Sequence, residues 1–296
     1  MDRIDAMRVF ARIVETRSFS QAARDLGIPA STATDAVKRI ERMLGVRLID
    51  RSTRVVAPTL DGQAWYERCL ALIAAMEDAE AAFSGGSATG RLHVNVHGSL
   101  ARHFILPRLP EFLDSHPDLD LILSEGDALI DLVKAGVDCV VRVGTPADSD
   151  LFARRLGELP EVTIASAAYV ERFGYPASPD DLVRHRVIAF QSSVTGTPMP
   201  LEFQVGGRVV ECRPPVVLTV TAAETLAAAV HLGLGIIQAP AYRFAEDLAT
   251  GRLVELLPET RPTPSPVTAL YPRDRQLSPR VRVFLDWIGT IDFLGT

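Results

Sequence analysis

Residues Ser18 to Leu48, SFSQAARDLGIPASTATDAVKRIERMLGVRL, constrain this chain more than any other stretch. Ser18 or Ser20 can cap a short helix of about Gln21 to Leu26, because a side-chain oxygen accepts a free amide of the first turn. Ala22 and Ala23 are small enough for close helix packing, Gly27 suits the turn that ends the helix, and Pro29 marks where it cannot continue. A second helix is predicted from about Ser31 to Leu44. Ala33, Val37, Ile40 and Leu44 recur along it at steps of four, three and four, which is one buried stripe. Two such helices across a tight turn are the plan of a helix-turn-helix, which lays its second helix in the major groove of DNA. The outward face carries Ser31, Thr32, Thr34, Asp35, Lys38 and Arg42.

The flanks support that plan. Ile4, Met7, Phe10 and Val14 recur at helical spacing and predict a first helix with that face buried. Arg47 to Val56 reads as a hairpin with Arg51, Ser52, Thr53 and Arg54 between Leu48-Ile49 and Val55-Val56. It has the form of a wing whose arginines and hydroxyls hold phosphates. The net charge of the chain is -6, but Met1 to Pro58 carries 11 Lys+Arg against 7 Asp+Glu, net +4, and the remainder is net -10. A basic head on an acidic body points to a polyanionic partner for the head alone.

Next comes a long helix, Thr59 to Phe83. Thr59 can cap it, and Asp61 suits the positive end of its dipole. Trp65, Cys69, Leu72, Met76, Ala79 and Phe83 follow at steps of 4, 3, 4, 3 and 4. That average of about 3.5 is the seam of a two-stranded coiled coil, so dimerisation is expected, with packing against the chain's own body as the alternative. A helix of this length measures roughly 35 Å, long enough to separate two heads. Ser84-Gly85-Gly86-Ser87 reads as a flexible hinge.

The rest alternates strand-like and helix-like stretches. Leu92 to Val96, Leu119 to Leu123, Cys139 to Val143, Val162 to Ala165, Arg186 to Phe190, Val216 to Val220, Leu234 to Gln238 and Val267 to Tyr271 read as strands. Ser99 to Asp114 (with Pro107 as a break), Asp127 to Ala135, Ala222 to Leu232 and Pro279 to Thr290 read as helices, and Pro258 to Pro266 as a linker. Such alternation predicts open α/β sheets. Two α/β lobes with the tail returning to the first leave a cleft between them, where ligands sit beyond the carboxyl ends of strands. His97, Ser99, Arg142, Gln191 and Thr221 all lie at such ends and are the candidate ligand-binding residues. Helix N-termini together with Arg142 favour a small carboxylate or a phenolic acid.

Other functions find little footing. GxSxG, HExxH and a GxGxxG after a strand are absent, and the 6 histidines show no metal spacing, so neither catalysis nor a cofactor is expected. The 3 cysteines form no CxxC pair, which fits a reducing compartment. No apolar run reaches the roughly 18 residues of a membrane span, and no signal peptide is evident, so a cytoplasmic protein without membrane contact is expected.

The order of SFSQAA, LG, the second helix, IERMLGVRL and the RSTR wing is highly specific. With RLHVNVHGS, LPRLPEFLDSHPDLDL, LVKAGVDCVVRVG and HLGLGIIQAP in the body, the chain resembles the LysR-type transcriptional regulators over its whole length. The resemblance implies an α/β protein overall: a winged helix-turn-helix at 1–58, a dimerising linker helix and hinge at 59–87, and a two-lobed effector domain at 88–296 that resembles periplasmic binding proteins. Lobe one would take 88–161 and 267–296, and lobe two 162–266. It implies homodimers or homotetramers on double-stranded promoter DNA, a small-molecule effector that changes the DNA bend, and RNA polymerase as a further partner. Ser31, Thr32, Thr34 and Asp35 would then sample base edges, while Lys38, Arg51, Thr53 and Arg54 hold phosphates. One residue departs from the family pattern. Asp35 stands where an arginine usually follows the small hydroxyl residue, and an acid is repelled by phosphate though it can accept from the cytosine amino group. A small-molecule binding protein whose weakened head serves only assembly is therefore the alternative reading.

Overall fold

The computed structural model describes residues 1–51, 56–83, 88–127, 132–145, 150–272 and 277–294, and within them all side chains except those of 51, 78–83, 133 and 134. The head opens with α1 (Arg3–Thr16), started by a reciprocal capping box between Asp2 and Asp5. Then come α2 (Phe19–Asp25), capped by Ser18, whose side chain accepts from the Gln21 amide, and α3 (Ala30–Leu44). Gly27 and Gly45 close α2 and α3 with positive φ, a conformation glycine adopts without a Cβ penalty. Met7, Phe10, Ile13, Ala22, Ala23, Ala33, Ala36, Val37 and Ile40 form one core, so the stripe read from the sequence faces inward and Ala36 widens it. Strands β1 (Ile49–Arg51) and β2 (Val56–Pro58) pair antiparallel as the stem of the expected wing. Its tip, with Thr53 and Arg54, lies outside the described residues.

Helix α4 (Leu60–Phe83) follows, with Thr59 Oγ1 accepting from the Gly62 amide at 2.9 Å. The seam expected along it is divided. Cys69 is fully buried in the head's own core with Trp65 packed beside it, whereas Leu72 and Met76 are 48 % and 43 % exposed. The row that meets the head runs through Trp65, Tyr66, Cys69 and Ile73, and Leu72 and Met76 are not among the residues packed there. Burial pushes the Cys69 thiol up to about 12, and it behaves as a packing group. Ala79 and Phe83 fall among the side chains that are not described.

Beyond α4 lie two lobes of α/β structure. The first sheet holds β3 (Gly90–Val96), β4 (Leu119–Glu125), β5 (Cys139–Val143), β6 (Leu151–Leu159) and β14 (Ser265–Pro272) in the order β4-β3-β5-β14-β6. β3 runs parallel to β4 and β5, and β14 antiparallel to β5 and β6. Between β3 and β4 the chain is helical from Gly98 to Ser115 as α5 (Gly98–Leu100), a π turn, a 3-10 turn and α6 (Leu109–Ser115). The break is Pro107, which has no N–H for the ladder and clashes with the turn before it. This segment and α11 (Pro279–Ile288) cover one face through Leu100, Phe104, Phe112, Phe284 and Ile288. On the other face Leu132 of α7 (Leu132–Ala135) clusters with Val140 and Leu270. Of the helix expected at Asp127 to Ala135, residues 128–131 lie outside the described set, and Asp127 itself stands in a bend.

The second lobe is built on β7 (Glu161–Ser166), flanked antiparallel by β12 (Ile237–Pro240) and β13 (Leu253–Leu256). β8 (Val187–Phe190) pairs parallel with β11 (Val216–Val220), and Val187 bridges Ile236 to join the two sets. β9 (Leu201–Val205) and β10 (Arg208–Cys212) form a separate hairpin. α9 (Ala223–His231) and α10 (Ala245–Ala249) pack on one face, and α8 (Ala167–Phe173) on the other. The strand expected at Leu234 to Gln238 starts later, at Ile237. Gly235 passes so close to Arg186 that a Cβ there would stand 2.7 Å from its carbonyl oxygen. The proline-rich stretch read as a linker begins as a 3-10 turn, Pro258–Thr260, and its last residues, Ser265 and Pro266, already belong to β14.

Candidate functional site

The head presents the outer face of α3. Ser31, Asp35 and Lys38 are exposed, and Thr32 and Thr34 half-buried at its edge. Thr34 Oγ1 donates to the Ala30 carbonyl at 3.1 Å, which commits its proton and leaves its oxygen as an acceptor. Pro29 precedes the helix and offers no side-chain cap, so the first-turn amides of α3 face outward beside Ser31. Glu41, which the sequence did not single out, ties the wing to this helix. Its Oε1 accepts from the amides of Leu48 and Ile49 at 2.9 and 3.3 Å, fixing where β1 leaves α3. Across α1 and α2, Arg12 bonds Glu15 and Asp25. The Gln21 amide first and the Arg12 guanidinium second hold the Asp25 carboxyl below its usual range. Arg51 ends β1 with its side chain outside the described residues, as are Thr53 and Arg54.

Asp35 on this exposed face yields a test. Asp35→Arg replaces a repelled charge by an attracted one and is expected to tighten binding to non-specific duplex. The slope of log K against log salt should steepen by about one, and the preference for the specific site should narrow. Titrations at three salt concentrations check this. An unchanged slope places Asp35 away from the DNA.

A second constellation forms where the two lobes meet. His97, Ser99 and Arg142 come from the ends of β3 and β5, as the sequence reading placed them. Ser99 Oγ lies 2.8 Å from His97 Nδ1 and 2.6 Å from the Tyr242 hydroxyl of the other lobe. His97 Nε2 is 3.3 Å from Asp127, whose second oxygen accepts from the Ala223 amide at the start of α9, at 3.0 Å. Burial lowers the His97 pKa, opposed by the Asp127 charge and reinforced by Arg243 and Arg142, so the ring is neutral near pH 7. Arg142 donates to the Asn95 side chain at 2.5 Å and to the carbonyls of Asn95 and Val141. At the rim Glu224 joins Arg102 of lobe one to Arg243 of lobe two. Gln191 and Thr221 stand apart from this set: Gln191 donates to the Gly196 carbonyl of its own turn, and Thr221 is exposed ahead of α9. Asp127, Tyr242, Glu224 and Asn95 were not foreseen. Asp127 carried a local signal, since it follows β4 as His97 follows β3, but Tyr242 has none.

The geometry describes a cleft lined by paired arginines and carboxylates, joined to a winged helix-turn-helix head, with no cluster of metal-binding side chains among the described residues. Residues 4–63 match the family described as bacterial regulatory helix-turn-helix protein, lysR family, and residues 85–290 match the LysR substrate binding domain. The HTH-type transcriptional regulator YhjC of Escherichia coli K12 is 36 % identical over 293 residues, with 98 % of each chain covered. Among solved structures, CrgA of Neisseria meningitidis is 30 % identical with a TM-score of 0.58, covering 96 % of this chain and 97 % of that one. A full-length variant of the regulator AphB is 25 % identical with a TM-score of 0.64, covering 97 % and 99 %. Nothing in these likenesses favours a head retained only for assembly. Two matching domains in the right order and relatives that span the whole chain place this protein in the LysR family of DNA-binding, effector-responsive transcriptional regulators.

Proposed function

We propose that this regulator reads promoter DNA through 1–58, couples two or more copies through 59–87, and senses a small carboxylate or phenolic acid between the lobes of 88–296. Ser31, Thr32, Thr34 and Asp35 sample base edges, while Lys38, Arg51, Thr53 and Arg54 anchor phosphates. His97, Ser99 and Arg142 receive the effector, with Gln191 and Thr221 at the outer edge. The observation that carries this reading is the pair of polar contacts bridging the lobes, Ser99 to Tyr242 and Asp127 to the Ala223 amide. A molecule that replaces them must change how the lobes sit, and it acts only through its preference for one arrangement. The exposed Leu72 and Met76 supply apolar surface on α4 for a second copy, as expected of a homodimer or homotetramer. RNA polymerase is the further partner of such an assembly. The protein works in the cytoplasm and turns nothing over. Among the described residues no helix is long and apolar enough to cross a membrane.

Footprinting upstream of the protein's own gene, with and without small aromatic and aliphatic acids, tests the whole reading. Ser99→Ala and Arg142→Ala are each expected to weaken the effector response by about tenfold or more while the head still binds DNA. If both variants and Thr221→Ala respond as the parent does, the cleft is not the effector site.

A further inference from the structure

We infer that Asp127 is a latch: a carboxylate tethered to lobe one that seats on lobe two, and that a carboxylate effector displaces. The inference rests on the reading of the cleft as the effector site and adds which group an effector must displace there. Asp127 follows β4, and Ala223 opens α9 on the other lobe, 96 residues later, yet the contact is 3.0 Å. The residue before α9 is Ala222, which has no side chain to cap it. The Ala223 amide is met instead from the opposite lobe, so it has this protein partner only while the lobes are together.

The other Asp127 oxygen faces His97, and the hydrogen bonds around the ring fit one proton arrangement. With His97 neutral, Nε2–H donates to Asp127, and Nδ1 accepts from the Ser99 hydroxyl. Ser99 Oγ in turn accepts from the Tyr242 hydroxyl. His97 therefore links the Ser99–Tyr242 and Asp127–Ala223 contacts, while the Arg102–Glu224 pair joins the lobes separately at the rim. At the rim, a Cβ on Gly98 would stand 2.5 Å from the carboxylate end of Glu125, the partner of Arg102, and would push that flexible side chain aside.

An incoming carboxylate offers two oxygens to the same donors, the Ala223 amide and His97 Nε2–H. A second anion beside Asp127 is repelled at this distance, so the two compete for the seat. The effector satisfies α9 without tethering it to lobe one, which is what frees the lobes to reset. Arg142 and Arg243 lie close enough to perturb His97 and supply positive charge to either occupant.

The test uses the full-length protein, with Asp127→Asn and Asp127→Ala checked for parental thermal melting. In effector-free protein, hydrogen exchange at the Ala223 amide is expected to quicken about tenfold or more in Asp127→Ala and less in Asp127→Asn, whose carbonyl still accepts. Benzoate, used as a plain carboxylate probe in calorimetry, is expected to bind Asp127→Asn about tenfold tighter than the parent, since its competitor has lost its charge. Unchanged Ala223 protection in Asp127→Ala overturns the latch and leaves the cleft reading standing on the Ser99 and Arg142 variants. Benzoate binding that is equal or weaker in Asp127→Asn overturns displacement. Loss of Ala223 protection with no benzoate binding to either protein overturns displacement together with the carboxylate class of effector.

Discussion

Gly62→Ala is expected to destabilise the head by roughly 3 kcal/mol or more and to abolish DNA binding, because the added Cβ has nowhere to go. Gly62 lies in the first turn of α4, where a Cβ would collide with the Leu48 carbonyl oxygen and also crowd the Leu48 carbonyl carbon and Cα. That backbone is held from three sides. Glu41 accepts from the Leu48 amide, the Thr59 amide donates to the Leu48 carbonyl at 3.0 Å, and the Leu48 side chain is fully buried. Relief requires α4 to move away from β1, which breaks the Thr59 bond and unseats the wing from α3. The effector domain shares none of these contacts. Hydrogen exchange should therefore show Met7 to Ile40 losing protection while β3, β5 and β14 keep theirs, and a gel shift should show no complex. A variant that melts and binds DNA like its parent removes the close approach from the account.

Gly62 also shows where a sequence can and cannot be read. The buried face of α3 was legible because helical periodicity repeats over four turns, and Ser18 because a cap precedes its helix directly. Gly62 and Glu41 were not, since each answers to a backbone group that only tertiary structure brings near: Leu48 lies 14 residues from one and 7 from the other. β6 hid for another reason. Leu151 to Leu159 runs LFARRLGEL, with adjacent arginines and no period-2 alternation, and it pairs with β14 through an irregular register. Pairing to a chain segment more than a hundred residues away supplies what local propensity lacks. The seam of α4 failed in the opposite sense, a clean pattern shared between two environments, with Cys69 turned into the head and Leu72 out to solvent. In the cleft, strand ends located His97, Ser99 and Arg142. Their partners across the lobes, Tyr242 and Ala223, were invisible because nothing local aligns one lobe with the other.

The second large effect concerns pH and the crossing between lobes. The chain passes from β6 to β7 through Leu159–Glu161 and returns through Thr263–Ser265 into β14. Half-buried Glu161 sits at this crossing. Burial pushes its carboxyl up to about 8, with the Ser265 hydrogen bond opposing and the neighbouring Glu202 charge adding to the shift. Glu202 is itself held by the Thr263 hydroxyl at 2.7 Å, so it does not swing away. An unfolded glutamate ionises near 4.3, so between that pH and about 8 the folded chain holds a proton that the unfolded chain has released. The contribution of Glu161 is therefore intact below about 4.3, falls as pH rises toward 8 and is flat above it. The total loss is on the order of 3 kcal/mol, discounted for the partly exposed setting. Glu161→Gln keeps an acceptor for Ser265 and carries no charge at any pH. Its melting temperature should match the parent near pH 4.5 and exceed it by several degrees at pH 8, with the difference growing steadily between. Parallel melting curves for the two proteins across that range would show that Glu161 titrates as it does in the unfolded chain. The crossing would then carry no buried carboxyl for alkaline pH to expose.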